Sequence, residues 1–398
     1  MATHVEGDDA FHILPSDIID AVISRLPSKP LSRFKSVSRS WNARISDPRF
    51  IRSHHEVSVD SCYSQNLFMA QTKEGFVLVR ISLEDNGRKS FQIEAQLEIP
   101  LGWSELVYCN GNGVVLLTGA GPADSDSDSD DQEDEEFLLW NPCSRKETML
   151  RLPRALHDHD PIVVGICHDP NYNDDDFKVV FAFPEYYQVF SCKNNSWTRR
   201  DQQFPCKFVE YTEGLAVNGA LYWVWSAKGP RDPTRYYLED HYSYKNILCF
   251  DSRDDSFKAL EKPEGVKDHK GIGLICLRGC LCLYTDGGDV GDGFGTSSLQ
   301  IWIKERYRNS WKVLMNVENL ERQSNLCSFR LIPVFMDNKI LIVSNERFLI
   351  YNSRDKTYQQ FRDEKFVGAP LYPCVDTLLL PVTMNPKLKR KRSCMNWW

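Results

Sequence analysis

A short repeated unit constrains the fold of this chain more than any other sequence feature. Each copy joins two strands through a tight polar turn, with aromatic residues near the facing ends of the strands. In four copies the second strand opens at Trp197, Phe257, Trp311 or Tyr358, and the stretch from Trp140 contains a fifth. The copies recur at intervals of roughly 45–60 residues, the period of a four-stranded β-propeller blade. This spacing predicts a ring of about six blades.

The whole region from residue 56 to residue 385 has the sequence character of antiparallel sheets. Apolar runs of period two alternate with turns rich in Gly, Asn, Asp and Pro, and no long amphipathic helix interrupts them. A parallel sheet with crossover helices is therefore disfavoured, and the predicted fold class is mainly β. We expect the first blade near residues 64–100 and the last within 327–385. The run VDTLLLPV at 375–382 is a candidate for closing the ring by pairing with the first blade.

Residues 13–55 differ from the rest of the chain because they have helical periodicity. The first helix carries one apolar stripe, made of Ile18, Ile19, Val22, Ile23 and Leu26. Prolines 27 and 30 end that helix, and two more short helices follow before a last turn after Pro48. The prediction is a module of three short helices, or four if the last turn is counted. Because so small a module buries little apolar surface alone, we expect part of the stripe to face a partner.

Composition restricts the compartment in which the chain works. The first twelve residues are polar and acidic, so they are predicted to be disordered and are not a signal peptide. No apolar run approaches the ~20 residues that a membrane helix requires, so no membrane partner is expected. The thirteen cysteines occur mostly singly within apolar runs. This usage is typical of reduced, buried thiols and predicts a protein of the cytoplasm, the nucleus or both.

The net charge of −7 hides a strongly polarised chain. Nine acidic residues lie between Asp124 and Glu136, and residues 122–136 are predicted to be a disordered insertion. Phosphorylation of its serines (Ser125, Ser127 and Ser129) is the functional alternative to a merely solvated loop. The tail 386–398 contains the basic run KLKRKR, which fits a nuclear import signal as well as it fits a solvated basic tail.

Motifs for catalysis or ligand binding are weak throughout the chain. The HDHD stretch at 157–160 offers adjacent side chains that rarely converge on one metal ion, and no third ligand is placed. The glycine-rich stretch 287–295 lacks the Gly-Lys-Ser/Thr ending of a phosphate-binding loop. No Ser/His/Asp, Cys/His or paired-carboxylate arrangement can be assembled. We therefore expect no catalytic, cofactor-binding or metal-binding residues, and a protein that is not an enzyme.

Two known families resemble this sequence and together account for nearly all of it. Residues 13–54, LPSDIIDAVISRLPSKPLSRFKSVSRSWNARISDPRFIRSH with the preceding Ile, resemble an F-box, with Ser38 where many F-boxes have cysteine. The stretches LLWNPCSRKETMLRLP, VFSCKNNSW, GLAVNGALYWVW and NILCFDSRDDSFKAL resemble the plant F-box-associated, kelch-like β-propeller domain. The resemblance implies a receptor subunit of an SCF-type (Skp–cullin–F-box) ubiquitin ligase. Its F-box would bind a Skp-type adaptor, and through it a cullin and a RING protein, while the propeller would hold an unknown target protein.

The resemblance also implies which residues would contact these partners. Carried over position by position, the adaptor-facing candidates are Leu14, Pro15, Ile18, Ile23, Pro30, Leu31, Val37 and Trp41. Basic residues could steer the module toward an acidic adaptor, namely Lys29, Arg33, Lys35, Arg39, Arg44, Arg49 and Arg52. Target contacts are expected on blade-edge loops, with Tyr186, Tyr187, Arg231, Arg235 and Tyr236 as candidates.

Two other classes of function are compatible with parts of the sequence. A propeller enzyme or carbohydrate-binding protein with an incidental helical N-terminus would require acids, metal ligands or stacked tryptophans at the central channel. A nucleic-acid-binding protein would use the basic residues of 29–52, but no side-chain pattern for reading bases accompanies them. We therefore expect no nucleic-acid partner.

Overall fold

The structure, a computed structural model of the 398-residue chain, describes most of both predicted regions. The described residues are 15–60, 67–83, 89–100, 102–109, 113–119, 135–153, 163–168, 176–204, 214–228, 242–266, 272–277, 279–286, 297–305, 310–320, 330–334, 339–343 and 348–379.

Four helices open the described chain. They are α1 (Ser16–Ile23), α2 (Ser28–Phe34), α3 (Arg39–Ser46) and α4 (Pro48–Asp60). Prolines stand immediately before α1 and α2, and the Ser38 hydroxyl caps α3 by accepting the Trp41 backbone N–H. Of the three or four helices predicted, the structure has four. The turn expected after Pro48 continues to Asp60, because Phe50, Ile51 and His54 supply a further buried face.

Twenty-four strands follow the helices in the described residues. In chain order they are β1 Leu67–Thr72, β2 Gly75–Leu83, β3 Lys89–Leu97, β4 Trp103–Cys109, β5 Val115–Gly119, β6 Glu135–Asn141, β7 Lys146–Leu152, β8 Val163–His168, β9 Phe177–Ala182, β10 Tyr186–Ser191, β11 Ser196–Asp201, β12 Leu215–Val217, β13 Ala220–Lys228, β14 Tyr242–Asp251, β15 Ser256–Leu260, β16 Ile272–Leu277, β17 Cys280–Asp286, β18 Ser297–Lys304, β19 Trp311–Leu320, β20 Arg330–Val334, β21 Lys339–Val343, β22 Phe348–Asn352, β23 Thr357–Phe361 and β24 Leu371–Pro373.

These strands form six antiparallel sheets of four strands, which confirms the mainly β, six-bladed propeller. Blades 2 to 6 are each built from four consecutive strands, beginning with β4–β7. Blade 1 has the order β24-β1-β2-β3, so the last strand of the chain completes the first blade. Ring closure by the C-terminus was predicted, but the pairing segment is wrong. Leu371–Pro373 pairs with β1, and residues 375–379 of the proposed strand are not in a sheet.

The repeated sequence unit is the hairpin between the third and fourth strands of a blade. Its aromatic residues are direct cross-strand partners in three blades: Phe190 with Trp197, Phe250 with Phe257, and Tyr351 with Tyr358. In blades 2, 3, 4 and 6 the turn of this hairpin ends in a non-glycine residue of positive φ, namely Arg145, Asn195, Asp255 and Lys356. In blade 5 the cross-strand partner of Trp311 is Lys304, whose ammonium lies 5.4 Å from the centre of the Trp311 ring.

The core lies between neighbouring blades. Aromatic rings meet across three of these junctions, with centroids 5.0 Å apart for Phe137 and Phe181, 4.8 Å for Tyr187 and Phe257, and 4.8 Å for Phe91 and Phe348. Rings at this separation contribute attraction beyond their burial. Each blade is therefore held by the next, and the ring requires its closing strand.

Beyond β24 the chain runs along one end of the ring as residues 374–379, which we call the strap. The backbone N–H of Cys374 donates to the Leu67 carbonyl, and the Asn141 side chain donates to the carbonyls of Thr377 and Leu379. Gly113 lies directly against the strap with a φ of +81°. A Cβ there would collide with the Val375 carbonyl oxygen and lie 3.0 Å from Cγ2 of Thr377.

This packing predicts a difference between two glycines of similar conformation. Gly368 has a φ of +72° but open space around its Cβ position, so Gly368→Ala should cost about 1 kcal/mol of unfolding free energy. Gly113→Ala adds the collision with the strap and should cost about 1–3 kcal/mol more. Urea denaturation of the two variants measures the difference. Equal losses would contradict the close approach of the strap.

Candidate functional site

The helical module has its own small core, and the strap contributes to it. Ile23, Leu31, Ile45 and Phe50 are buried together with Leu378, which is 1% exposed. Half-buried side chains surround this cluster, namely Ile19, Leu26, Trp41 and Ile51. The apolar stripe of α1 is therefore divided, because Ile23 faces the core while other members remain at the surface.

The residues left at the surface form an unusual concentration of exposed apolar side chains. Ile18 is 45% exposed, Val22 57%, Phe34 37% and Val37 67%. We call these four residues the exposed apolar set. They are four of the seven large apolar side chains that are exposed in the described part of the chain. Exposed apolar surface of this kind, concentrated on one small module, is typical of a protein-binding surface.

Basic side chains accompany this set on the same helices. Lys29, Arg33, Arg39 and Arg49 are exposed. Arg44 links α3 to α1 within the module. Its guanidinium forms an ion pair with Asp20 at 2.9 Å and donates a hydrogen bond to the Ser16 hydroxyl. Burial and the neighbouring Lys146 of β7 lower the pKa of Lys35. Arg52 is half-buried.

The predicted adaptor contacts occupy three kinds of position. Ile18 and Val37 are exposed, Pro15 is exposed just before α1, and Pro30 and Trp41 are half-buried. Leu14 lies outside the described residues. Ile23 and Leu31 require a correction, because both are buried in the module core, at 4% and 0% exposed, and present no surface to a partner in this arrangement.

The predicted target contacts are not loop residues where the structure describes them. Tyr186 and Tyr187 lie in β10 and are buried, so their assignment to a loop is wrong. The Tyr186 ring lies under the Arg199 guanidinium at 3.8 Å, and the Tyr187 hydroxyl donates to the Asp255 carbonyl. Arg231, Arg235 and Tyr236 lie outside the described residues.

Sequence reasoning missed two parts of the site. Val22 and Phe34 were placed on helical faces but not among the contacts, and only packing shows that both are exposed. The strap was interpreted as a strand, so the roles of Asp376, Thr377 and Leu378 were not predicted. Its apolar run carried no signal that distinguishes a strand from a segment packed against helices.

Several hydrogen bonds seat the module on the propeller. The Ser28 backbone N–H donates to Oδ1 of Asp376 at 3.1 Å, and its hydroxyl donates to the Cys143 carbonyl at 3.4 Å. Nδ1 of His55 lies 3.2 Å from the Thr377 hydroxyl. The His55 ring also lies 6.3 Å from the ring of His168, at the end of β8. The module therefore sits at the end of the ring where the first and third strands of blades 2 and 3 finish.

His54 is buried inside the module. Its Nε2 lies 2.9 Å from the Leu26 carbonyl and donates to it, while Nδ1 is buried with no hydrogen-bond partner in the structure. Burial lowers the pKa of His54, and the Leu26 carbonyl and the charge of Asp376 oppose this only in part. Protonation would place an additional N–H where no acceptor stands.

The described residues contain neither a metal-ligand cluster nor a membrane-spanning helix. Within them, no group of three or more His, Cys, Asp and Glu side chains could hold a metal ion. None of the described helices is long and apolar enough to span a bilayer. The nine described cysteines are free thiols, and burial raises the pKa of Cys282 to about 12. The HDHD stretch, the glycine-rich stretch, residues 122–134 of the predicted acidic insertion and the basic tail lie outside the described residues. Glu135 and Glu136, the last two residues of that insertion, begin β6, so their predicted disorder is wrong.

Comparison with protein families decides the relationship. Residues 66–370 match the F-box associated beta propeller domain, and residues 11–53 match the F-box domain. The chain belongs to the F-box-associated β-propeller family. Its helical module is an F-box, and its ring is the associated propeller.

Two plant proteins that are named for the F-box are similar to this chain. The F-box protein CPR1 of Arabidopsis thaliana is 24% identical over 390 residues, covering 88% of this chain and 84% of that protein. An F-box/kelch-repeat protein of the same plant is 23% identical over 334 residues, covering 78% of this chain and 80% of that protein. These similarities support a plant F-box protein.

The buried imidazole of His54 makes the stability of the F-box depend on pH. Because its pKa is lower in the folded chain than the ~6.5 of an unfolded one, the unfolded chain binds more protons. The stability that the neutral His54 side chain allows is fully present above the unfolded-state pKa of ~6.5. It is lost as pH falls below ~6.5 toward the lower pKa of the folded chain. Thermal melting from about pH 7.5 to 5.5 should show a smaller loss for His54→Gln, which can still donate to Leu26 but does not titrate. Parallel pH profiles for the two proteins would contradict this assignment.

Proposed function

We propose that this protein is the substrate-receptor subunit of an SCF-type ubiquitin ligase. Its F-box binds a Skp-type adaptor, which links it to a cullin and a RING protein, and its propeller holds the target protein. The observation that carries the proposal is the exposed apolar set on an F-box whose other large apolar residues are buried or half-buried. A surface of this composition requires a protein partner to remove it from water.

The energetics of adaptor binding support this role. Each of the four exposed side chains would contribute up to ~1.5–3 kcal/mol if fully buried, before the costs of ordering and association. The exposed basic residues of α2 and α3 add attraction toward an acidic partner and speed its encounter. A helical module that presents apolar side chains to a groove is a common way to bind a protein.

The position of the F-box favours target binding at the opposite end of the ring. The F-box contacts the end at which β6, β8 and β24 finish. The second strands of blades 2, 4 and 5, namely β5, β13 and β17, finish at the other end of the ring. The longest second-to-third connections in the sequence follow these strands, at residues 120–134, 229–241 and 287–296. A target held there stays clear of the adaptor. The candidates Arg231, Arg235 and Tyr236 belong to one of these connections and remain predicted contacts.

The contribution of such a receptor to the reaction is proximity. Holding the target and the ubiquitin-charged E2 in one assembly raises the effective concentration of the target lysine. The bond-making chemistry is supplied by the partners, and the receptor requires no catalytic residue of its own. We place this activity in the cytoplasm or the nucleus, where free buried thiols such as Cys167 and Cys282 persist in reduced form.

Charged substitutions in the exposed apolar set test adaptor binding directly. Val37→Glu and Ile18→Glu should each weaken binding to a Skp-type adaptor by at least about tenfold, because each places a charge at the contact without disturbing a core. Matched controls are Val313→Glu on β19 and Ile93→Glu on β3, since these side chains are 39% and 42% exposed on the propeller. Isothermal titration calorimetry measures all four variants.

Two outcomes would reject the proposal. The first is a wild-type chain that shows no affinity for any Skp-type adaptor. The second is a chain whose affinity falls equally for the F-box and propeller variants, because the contact would then not be localised to the helices.

A further inference from the structure

We propose that the strap, residues 374–379, is a positioning element that completes the F-box core and fixes the F-box on the propeller. This inference rests on the proposed function, because it states what holds the adaptor-binding surface in place. It assigns a role to the segment that follows the closing strand of the ring. This segment forms no helix or strand of the F-box or of the propeller blades.

The first step is the apolar contact. Leu378 is separated from the F-box by the whole propeller in sequence, yet its side chain is 1% exposed within the cluster of Ile23, Leu31, Ile45 and Phe50. A core formed by four short helices is small, so one fully buried leucine is a substantial part of it. The F-box core is therefore incomplete without the strap.

The second step is the polar contact to α2. The first backbone N–H groups of a helix have no partner inside the helix, and a carboxylate is favourable at that end. Oδ1 of Asp376 accepts the backbone N–H of Ser28, the first residue of α2, and Asp376 is only 9% exposed. The Thr377 hydroxyl lies 3.2 Å from Nδ1 of His55 on α4. Adjacent residues of the strap thus contact two different helices.

The third step is the attachment of the strap to the propeller. The amide of Asn141, which is fully buried at the end of β6, donates to the carbonyls of Thr377 and Leu379 at 3.0 and 2.6 Å. Its Oδ1 accepts the backbone N–H groups of Cys143 and Ser144, so the side chain is held by its own turn. Asn141 fixes the backbone of the strap, and the strap side chains then contact the F-box.

Together these contacts make the F-box and the propeller one body. The connection between α4 and β1 joins the two parts once along the chain, and the strap joins them a second time from the other terminus. Two attachments restrict the rotation that a single connection allows. The adaptor-binding surface is then held at a fixed orientation to the target-binding end of the ring.

Substitutions in the full-length chain test this role by hydrogen exchange. Leu378→Ser and Asp376→Ala should increase amide exchange in peptides of α1, α2 and α3, by at least about tenfold for Leu378→Ser, while peptides of β8–β19 remain unchanged. Asp376→Asn keeps an oxygen that can accept the Ser28 N–H and should restore the wild-type rate in α2. A chain that lacks only residues 386–398 is the matched control and should exchange like the wild type.

Small-angle X-ray scattering of the same chains reports whether the F-box stays fixed on the propeller. The wild type should fit one compact arrangement, and Leu378→Ser should show a larger radius of gyration because the F-box is released.

Unchanged amide hydrogen exchange in α1–α3 of Leu378→Ser overturns the proposal. Equal acceleration in the propeller peptides also overturns it, because the strap would then serve the ring rather than the F-box. These measurements need no adaptor, so they are independent of whether the wild type binds one.

Discussion

Closure of the ring by β24 is the constraint on which the rest of the structure depends. Pairing of Leu371–Pro373 with β1 places the end of the propeller beside its beginning. Because the F-box immediately precedes β1, the chain that leaves β24 emerges at the same end of the ring as the helices. The contacts of Ser28 and His55 with the strap follow from this geometry. A propeller closed by another strand would separate the strap from Ser28 and His55.

The same geometry explains how the apolar residues of the F-box are divided. The strap and the end of blade 2 cover one side of the helices, where Ile23 and Leu31 are buried. The other side retains Ile18, Val22, Phe34 and Val37 at the surface. The buried half attaches the module to its own chain, and the exposed half is free for another protein. One amphipathic helix, α1, contributes to both.

The fold was largely predictable, because blade hairpins are local. Cross-strand pairs such as Phe250 with Phe257, and turn residues such as Asp255, are close in sequence and leave a visible period. The site was predictable only in part. Helical spacing gives the stripe but not which side is covered, and that depends on Leu378, more than 300 residues away. Tyr186 and Tyr187 show the same limit, because a short connection after β9 placed them in a strand.

The contact of Leu378 with the F-box core also has a consequence for how the chain is made. The F-box is synthesised before the propeller, but the leucine that completes its core follows the last strand of the ring in sequence. A nascent or prematurely terminated chain therefore carries an F-box that is not yet fixed in its final place. Synthesis must therefore pass the last strand of the ring before the F-box can reach its mature packing.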